Sequence, residues 1–187
     1  MVMAEATNHY FKHLGVSDGL SQVCIPSIYQ DELGAVWLGT TEGLNRYNGK
    51  DVKVFQPSES NHGLTNNEIN ELCGDKNGRM YIRSGNDLIK LDIYTEQFTC
   101  LRQKGVYGLF CKKDTLWVSC ADGIYYYTGQ GTELTFFARV QKGFVGRALY
   151  VDKETVWVVT RKYLVAISRE DPLRQEILLT LDKGNCI

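Results

Sequence analysis

The hydrophobic pattern is most regular between Asp31 and Tyr47. Val36 and Leu38 alternate with Trp37, so a strand here carries large apolar groups on both faces. A sheet built from such strands must be covered on both sides. Asp31 to Gly34 precede the strand as a tight turn, in which the Asp31 carboxylate folds back on nearby amides. Thr41, Glu42 and Gly43 supply a second turn, Leu44 to Tyr47 a returning strand, and Asn48-Gly49 a third turn before Val52 to Phe55. With Ile25 to Tyr29 upstream, the pattern predicts a four-stranded antiparallel meander.

That unit recurs. Phe11, Gly19, Leu20, Ile25, Asp31, Gly34 and Trp37 fall 44 residues before Phe55, Gly63, Leu64, Ile69, Asp75, Gly78 and Tyr81. A third copy has Leu116 to Cys120, Asp122-Gly123 and Tyr125 to Tyr127. A fourth has Val156 to Thr160, a turn at Arg161-Lys162, and Leu164 to Ile167. The aromatic anchors Trp37, Tyr81, Trp117 and Trp157 are spaced by 44, 36 and 40 residues. Periods near 40 with four short strands each are those of β-propeller blades, and radial stacking buries both faces of every blade while leaving only short edges. A β-sandwich would suit the strand number and alternation equally well, but does not account for the recurring anchor.

The fold class is therefore all-β, with four four-stranded antiparallel meanders as β-propeller blades. Residues 1–187 are read as a single propeller fragment, with blades at 23–56, 67–102, 105–138 and 145–181. The segment 9–12 matches an outer strand at the repeat offset, yet the fourth copy has its own in Glu176 to Leu181. Residues 9–12 are then the outer strand of a missing or partner blade, and the chain is a partial propeller. An open arc would expose two apolar blade faces and favour self-association through them.

Charge and cysteine content narrow the partners. The formal net charge is -1, from 21 Lys and Arg against 22 Asp and Glu, which gives no basic surface for nucleic acid. The most apolar stretch, Thr155 to Ile167, is broken by Arg161 and Lys162, so this piece makes no membrane contact. The amino terminus lacks an apolar signal core. The six cysteines, Cys24, Cys73, Cys100, Cys111, Cys120 and Cys186, contain no CxxC pair or zinc spacing; most lie in predicted strands and they read as small buried thiols. A disulfide would fit an oxidising compartment, with connectivity left open.

Catalytic chemistry finds little support. His9 and His13 flank Phe11 in a predicted strand, where i and i+4 lie roughly 13 Å apart, too far to share a metal. No nucleophile elbow, phosphate-binding loop or dinucleotide fingerprint occurs, and no catalytic residue, metal or cofactor is assigned. The turns between second and third strands of each meander should gather on one face of the disc. They carry Thr41, Glu42, Asn86, Asp87, Asp122, Arg161 and Tyr163 as candidate ligand-binding residues. Arg83, where blade one has Gly39, is either channel-lining or salt-bridged, because charge near the axis needs solvent or a partner.

The runs Phe11 to Leu20 and Gln30 to Gly49, together with Leu64 to Ile69 and Asp75 to Gly78, resemble the two-component-regulator propeller repeat; blades three and four share its skeleton. The resemblance implies the amino-terminal periplasmic sensor region of a hybrid two-component system, with further blades, a membrane helix and cytoplasmic kinase, receiver and DNA-binding parts elsewhere in the polypeptide. It implies recognition of glycan-derived oligosaccharides and signalling to a histidine kinase. No kinase or receiver motif lies in this chain, and the alternative is a protein-interaction scaffold that binds no small molecule.

Overall fold

A computed structural model describes residues 12–57, 63–140 and 148–180. The described residues form four sheets of four antiparallel strands each. The first contains β1 (Ser27–Gln30), β2 (Val36–Thr40), β3 (Gly43–Tyr47) and β4 (Val52–Phe55); the second contains β5 (Ile69–Gly74), β6 (Arg79–Ser84), β7 (Asp87–Asp92) and β8 (Gln97–Arg102). The third contains β9 (Val106–Lys112), β10 (Thr115–Cys120), β11 (Gly123–Tyr127) and β12 (Thr135–Ala138). The fourth contains β13 (Ala148–Val151), β14 (Thr155–Val159), β15 (Tyr163–Ser168) and β16 (Gln175–Thr180). Strand order follows chain order in every sheet, as it must when each connection is a hairpin.

The inner strands β1, β5, β9 and β13 adjoin one another in succession, and no comparable seam joins β13 back to β1. The architecture is an open arc of propeller blades. Residues 9–11 lie outside the described residues, and Lys12 is not in a strand.

Each seam between blades is a separate apolar core. Trp37, Leu44 and Phe55 of blade one meet Ile69, Leu72, Met80 and Ile82 of blade two, with Leu64 of the connection between them. Tyr81 and Leu88 of blade two meet Val106, Leu109 and Leu116 of blade three. Trp117 and Ile124 of blade three meet Leu149, Val151, Val156 and Val158 of blade four. Alternation in β11 divides its tyrosines as the pleat requires: Tyr127 packs toward blade two and Tyr126 toward blade four. Gly39 makes the first seam close, because a Cβ there would lie 2.8 Å from Ile69 Cγ2 and 3.0 Å from the Ile69 carbonyl oxygen.

A carboxylate in the preceding turn holds the anchor in place. Asp31 is buried; its Oδ1 accepts the Leu33 and Ala35 amides at 3.0 and 2.8 Å, and its Oδ2 accepts the Trp37 indole N–H at 2.8 Å. Asp152 repeats the arrangement with the Glu154 and Thr155 amides and the Trp157 indole at 2.8 Å. The Trp157 hydrogen bond, followed by the two amides, holds the Asp152 carboxyl below its ordinary value. In blade two the anchor is Tyr81, which has no ring N–H, and Asp75 pairs instead with Arg79.

The two ends of the arc differ. Residues 12–22 cross the outward side of blade one: the Ser21 amide donates to Asn45 Oδ1 at 2.9 Å, and Lys12 Nζ donates to the Tyr47 hydroxyl at 3.1 Å. Leu20, the repeat equivalent of Leu64, is buried there, so this face is partly covered rather than broadly apolar and open. Ile28 nevertheless remains 63% exposed, whereas its equivalents Leu72, Leu109 and Leu149 inside the seams are 7%, 5% and 8% exposed. At the other end Trp157 is only half-buried, and among the described residues no further blade packs against it.

Replacing the buried anchor should therefore cost far more than replacing the terminal one. Trp37→Ala is expected to lower unfolding free energy by about 3–5 kcal/mol, and Trp157→Ala by about 1–2 kcal/mol. Denaturant unfolding of both variants measures this, and equal losses would show that the terminal face is covered in solution.

Candidate functional site

Antiparallel pairing puts the turns β2–β3, β6–β7, β10–β11 and β14–β15 at one end of their sheets, closed by the pairs Thr40 with Gly43, Ser84 with Asp87, Cys120 with Gly123 and Val159 with Leu164. The connections from one blade to the next enter at that end too. At blade two the two sets of loops enclose a cavity of about 340 Å³ lined by Asn66, Glu68, Asn70, Arg83, Gly85 and Asn86.

Local hydrogen bonds explain why the cavity keeps its shape. The Ser84 hydroxyl donates to the Asn66 carbonyl at 2.8 Å and accepts the Asn66 amide at 3.0 Å. The Gly85 amide donates to the Glu68 carbonyl at 2.7 Å, and the Gly43 amide of blade one donates to the Asn67 carbonyl at 2.7 Å. The connection 63–68 is thereby tied to the turns of both blades it joins. Within the cavity, Arg83 Nη1 donates to Asn70 Oδ1 at 3.2 Å and to the Gly85 carbonyl at 3.1 Å, and Asn70 Nδ2 donates to Glu68 Oε1 at 2.6 Å. Side-chain amides, a carboxylate and a guanidinium face one opening. Such planar donors and acceptors suit a polyhydroxylated or otherwise polar ligand.

Arg83 is salt-bridged. Its Nε lies 3.4 Å from Glu71 Oε2, and the same oxygen accepts the Leu109 amide of blade three at 3.1 Å. Glu71 stands where β5 departs from regular register, which turns its carboxylate into the seam. Burial raises the Glu71 carboxyl above its ordinary value, and the Leu109 and Arg83 bonds only partly offset it.

Of the eight sequence-derived candidates, Arg83 and Asn86 line this cavity. Asp87 is the first residue of β7, and its Oδ1 accepts the Lys104 amide at 2.6 Å. Thr41 and Glu42 form the blade-one turn, where the Glu42 carbonyl accepts Gln56 Nε2 at 2.8 Å. Asp122 belongs to a separate cluster: Arg102 Nη2 reaches its Oδ1 at 2.8 Å, the Tyr125 hydroxyl donates to its Oδ2 at 2.7 Å, and the Arg102 guanidinium lies 4.5 Å from the Tyr125 ring centre. Burial works against ionisation of Asp122, but those two bonds outweigh it and hold its carboxyl low. Arg161 is exposed at the blade-four turn, and Tyr163 opens β15 with its ring against the core between blades three and four. Neither reaches the blade-two cavity.

Sequence reasoning singled out the connection carrying Leu64 but not Asn66, Glu68 or Asn70. The signal was present as three polar residues flanking Ile69, the residue that starts an inner strand. It also missed a cavity of about 480 Å³ at the opposite end of the sheets, where Trp117, Tyr126 and Phe137 meet Lys153, Arg169 and Glu170. Arg169 lies 5.4 Å from the Trp117 ring centre, and its Nη1 donates to the Asp152 and Lys153 carbonyls at 3.0 Å. Among the described residues, no group of three or more His, Cys, Asp and Glu could hold a metal ion, and no helix is long and apolar enough to cross a membrane.

These features place the chain among repeat-built β-propellers. Residues 19–42 match the family described as two component regulator propeller, so the chain carries that repeat. A stretch of 53 residues is 40% identical to Histidine kinase P4 of Formosa agariphila, covering 28% of this chain and 4% of that protein. The extracellular domain of a putative hybrid two component system from B. thetaiotaomicron is similar in structure, with a TM-score of 0.74 and 21% identity over 90% of this chain and 26% of that one. PorZ, a surface component of the type-IX secretion system of Porphyromonas gingivalis, gives a TM-score of 0.67 and 17% identity over 89% of this chain and 24% of that one. The chain thus spans about a quarter of each of these two solved chains and 4% of the histidine kinase.

Because Glu71 has a raised value in the fold, the native protein retains a proton there at a pH where the unfolded chain has lost it. The associated stability is fully present below the unfolded carboxylate value, about 4.3, and is lost as pH rises through the raised folded value. Glu71→Gln is expected to flatten the dependence of unfolding free energy on pH in that window, measured by urea unfolding at a series of pH values. An unchanged slope would show that Glu71 does not carry it.

Proposed function

We propose that this chain is the extracytoplasmic, periplasmic ligand-sensing part of a hybrid two-component regulator, and that it recognises glycan-derived oligosaccharides and signals to a cytoplasmic histidine kinase. The observation that carries the reading is the pinned polar cavity around Arg83 and Asn70, at the end of the blades adjoining the two-component-regulator repeat at residues 19–42. Arg83 and the paired side-chain amides offer bonds to vicinal hydroxyls. Thr41, Glu42, Asp87, Asp122, Arg161 and Tyr163 extend the same face around the arc, where a chain of sugars longer than one cavity would lie. Further blades of the same polypeptide cover the exposed Ile28 and half-buried Trp157, which occupy the positions that pack against neighbours in the three internal seams. The chain itself supplies recognition; phosphoryl transfer belongs to the kinase part.

A second reading, a protein-interaction propeller without a small-molecule site, is favoured by the outer strand β16. There Ile177, Leu178 and Leu179 are 39%, 44% and 53% exposed on an edge whose far side is unpaired among the described residues.

Calorimetric titration of the complete sensor region against a panel of oligosaccharides separates the two. Saturable binding is expected, weakened about tenfold by Arg83→Ala, in line with the loss of a charge-assisted hydrogen bond. Binding that is untouched by Arg83→Ala and Asn70→Ala would move the site off this face, and a panel without any binder would favour the interaction reading.

A further inference from the structure

We infer that Cys73 and Cys111 are the two halves of a disulfide that staples blade two to blade three. Their Sγ atoms are 2.7 Å apart although they lie 38 residues apart in sequence, one on β5 and the other on β9. That is well inside the contact distance of two thiols, and closing to a bonded separation of about 2.05 Å needs a shift of only about 0.7 Å. Among the described residues no other two cysteine sulfurs make such a contact.

The repeat shows why this seam differs from its neighbours. Cys73 pairs across its sheet with Tyr81, as Tyr29 pairs with Trp37, Phe110 with Trp117 and Tyr150 with Trp157. The other three blades therefore place an aromatic ring where blade two has Cys73. The facing positions on the following blade are Gly74, Cys111 and Val151. At the first seam, Tyr29 fills the space where a Cβ on Gly74 would stand. At the second, Cys73 replaces the ring and Cys111 faces it, so two thiols meet where elsewhere a ring fills the gap. Both pack against the core that contains Tyr81 and Tyr127, and both residues are half-buried.

The chemistry requires an external disulfide, such as oxidised glutathione. The thiolate of one cysteine attacks it, forming a mixed disulfide and releasing one glutathione thiolate. The thiolate of the other attacks the protein sulfur of that mixed disulfide, forming the Cys73–Cys111 bond and releasing the second glutathione. Two cysteine protons go to the two glutathione thiolates, and the two electrons lost by the cysteines reduce the glutathione disulfide. Burial, and then the adjacent Cys111 thiol, push the Cys73 thiol well up, so closure accelerates as pH rises. Persistence of the bond in the cell rests on the extracytoplasmic location, but its formation in the purified chain does not.

The test is to equilibrate the purified chain with oxidised glutathione, block free thiols with iodoacetamide after denaturation, and map peptides by mass spectrometry without reduction. The expected result is one linked peptide pair joining Cys73 to Cys111, four of the six cysteines alkylated, and a melting midpoint several degrees above that of the reduced chain. Cys73→Ser and Cys111→Ser should each abolish the link and the redox-dependent rise, while Cys100→Ser should leave both. Six alkylated cysteines, or a link confined to other cysteines, would overturn the inference whether or not the variants fold. Neither outcome bears on oligosaccharide binding, which the titration addresses separately.

Discussion

The structure depends on the burial of one aromatic side chain from the second strand of each blade against the inner strand of the next. A blade that is apolar on both faces cannot shield itself, so the hydrophobic term becomes favourable only when a neighbour is present. Trp37 and Tyr81 are fully buried for this reason, while Trp157, which has the same sequence setting but no following blade among the described residues, is half-buried. The Asp31 carboxylate converts that burial into geometry. One buried group closes the turn before β2 and fixes the indole of the residue that enters the seam, so turn formation and blade stacking reinforce each other.

The cavity on the turn face is a consequence of the same stacking. The connection 63–68 places Leu64 in the apolar core and then has to reach the start of β5, which leaves Asn66, Glu68 and Asn70 at the mouth of the seam. Backbone bonds from Gly43 and Gly85 hold that connection to the turns of blades one and two. The candidate groups are thus held by a loop fixed at both ends and by the adjoining strands β5 and β6, an arrangement that keeps the ordering cost of binding low. The Glu71 carboxylate extends this frame to blade three by accepting the Leu109 amide while facing Arg83.

Much of the fold was legible because it is written in short-range periodicity. Alternation around Trp37, the 44-residue offset to Tyr81 and the recurrence at Trp117 and Trp157 specify strands, turns and their repetition without reference to three-dimensional contacts. Asn86 was within reach because a turn between two strands can be placed by counting, and Arg83 because the 44-residue offset sets it against Gly39. Asn66, Glu68 and Asn70 were not, since their convergence depends on how the connection crosses from one blade to the next. The indole bond of Asp31 was hidden behind its turn-forming role, as both use the same carboxylate. The opposite cavity, with Trp117 beneath Arg169, arises between blades three and four at an angle that no sequence spacing encodes.

The seam between blades two and three departs from the others in a consistent way. Its anchor is Tyr81 rather than tryptophan, its turn carboxylate Asp75 turns to Arg79, and the ring found at Tyr29, Phe110 and Tyr150 is replaced by Cys73. Less aromatic area therefore holds the seam between blades two and three. Two cross-blade links compensate on the inner strand itself: Glu71 to the Leu109 amide, and two residues further along the strand, the contact of Cys73 with Cys111. A polar link and a sulfur pair are directional where packed rings are not, so they fix the relative rotation of the two blades more tightly than apolar area would. Arg83 is tied to that junction through Glu71, whose Oε2 also accepts the Leu109 amide.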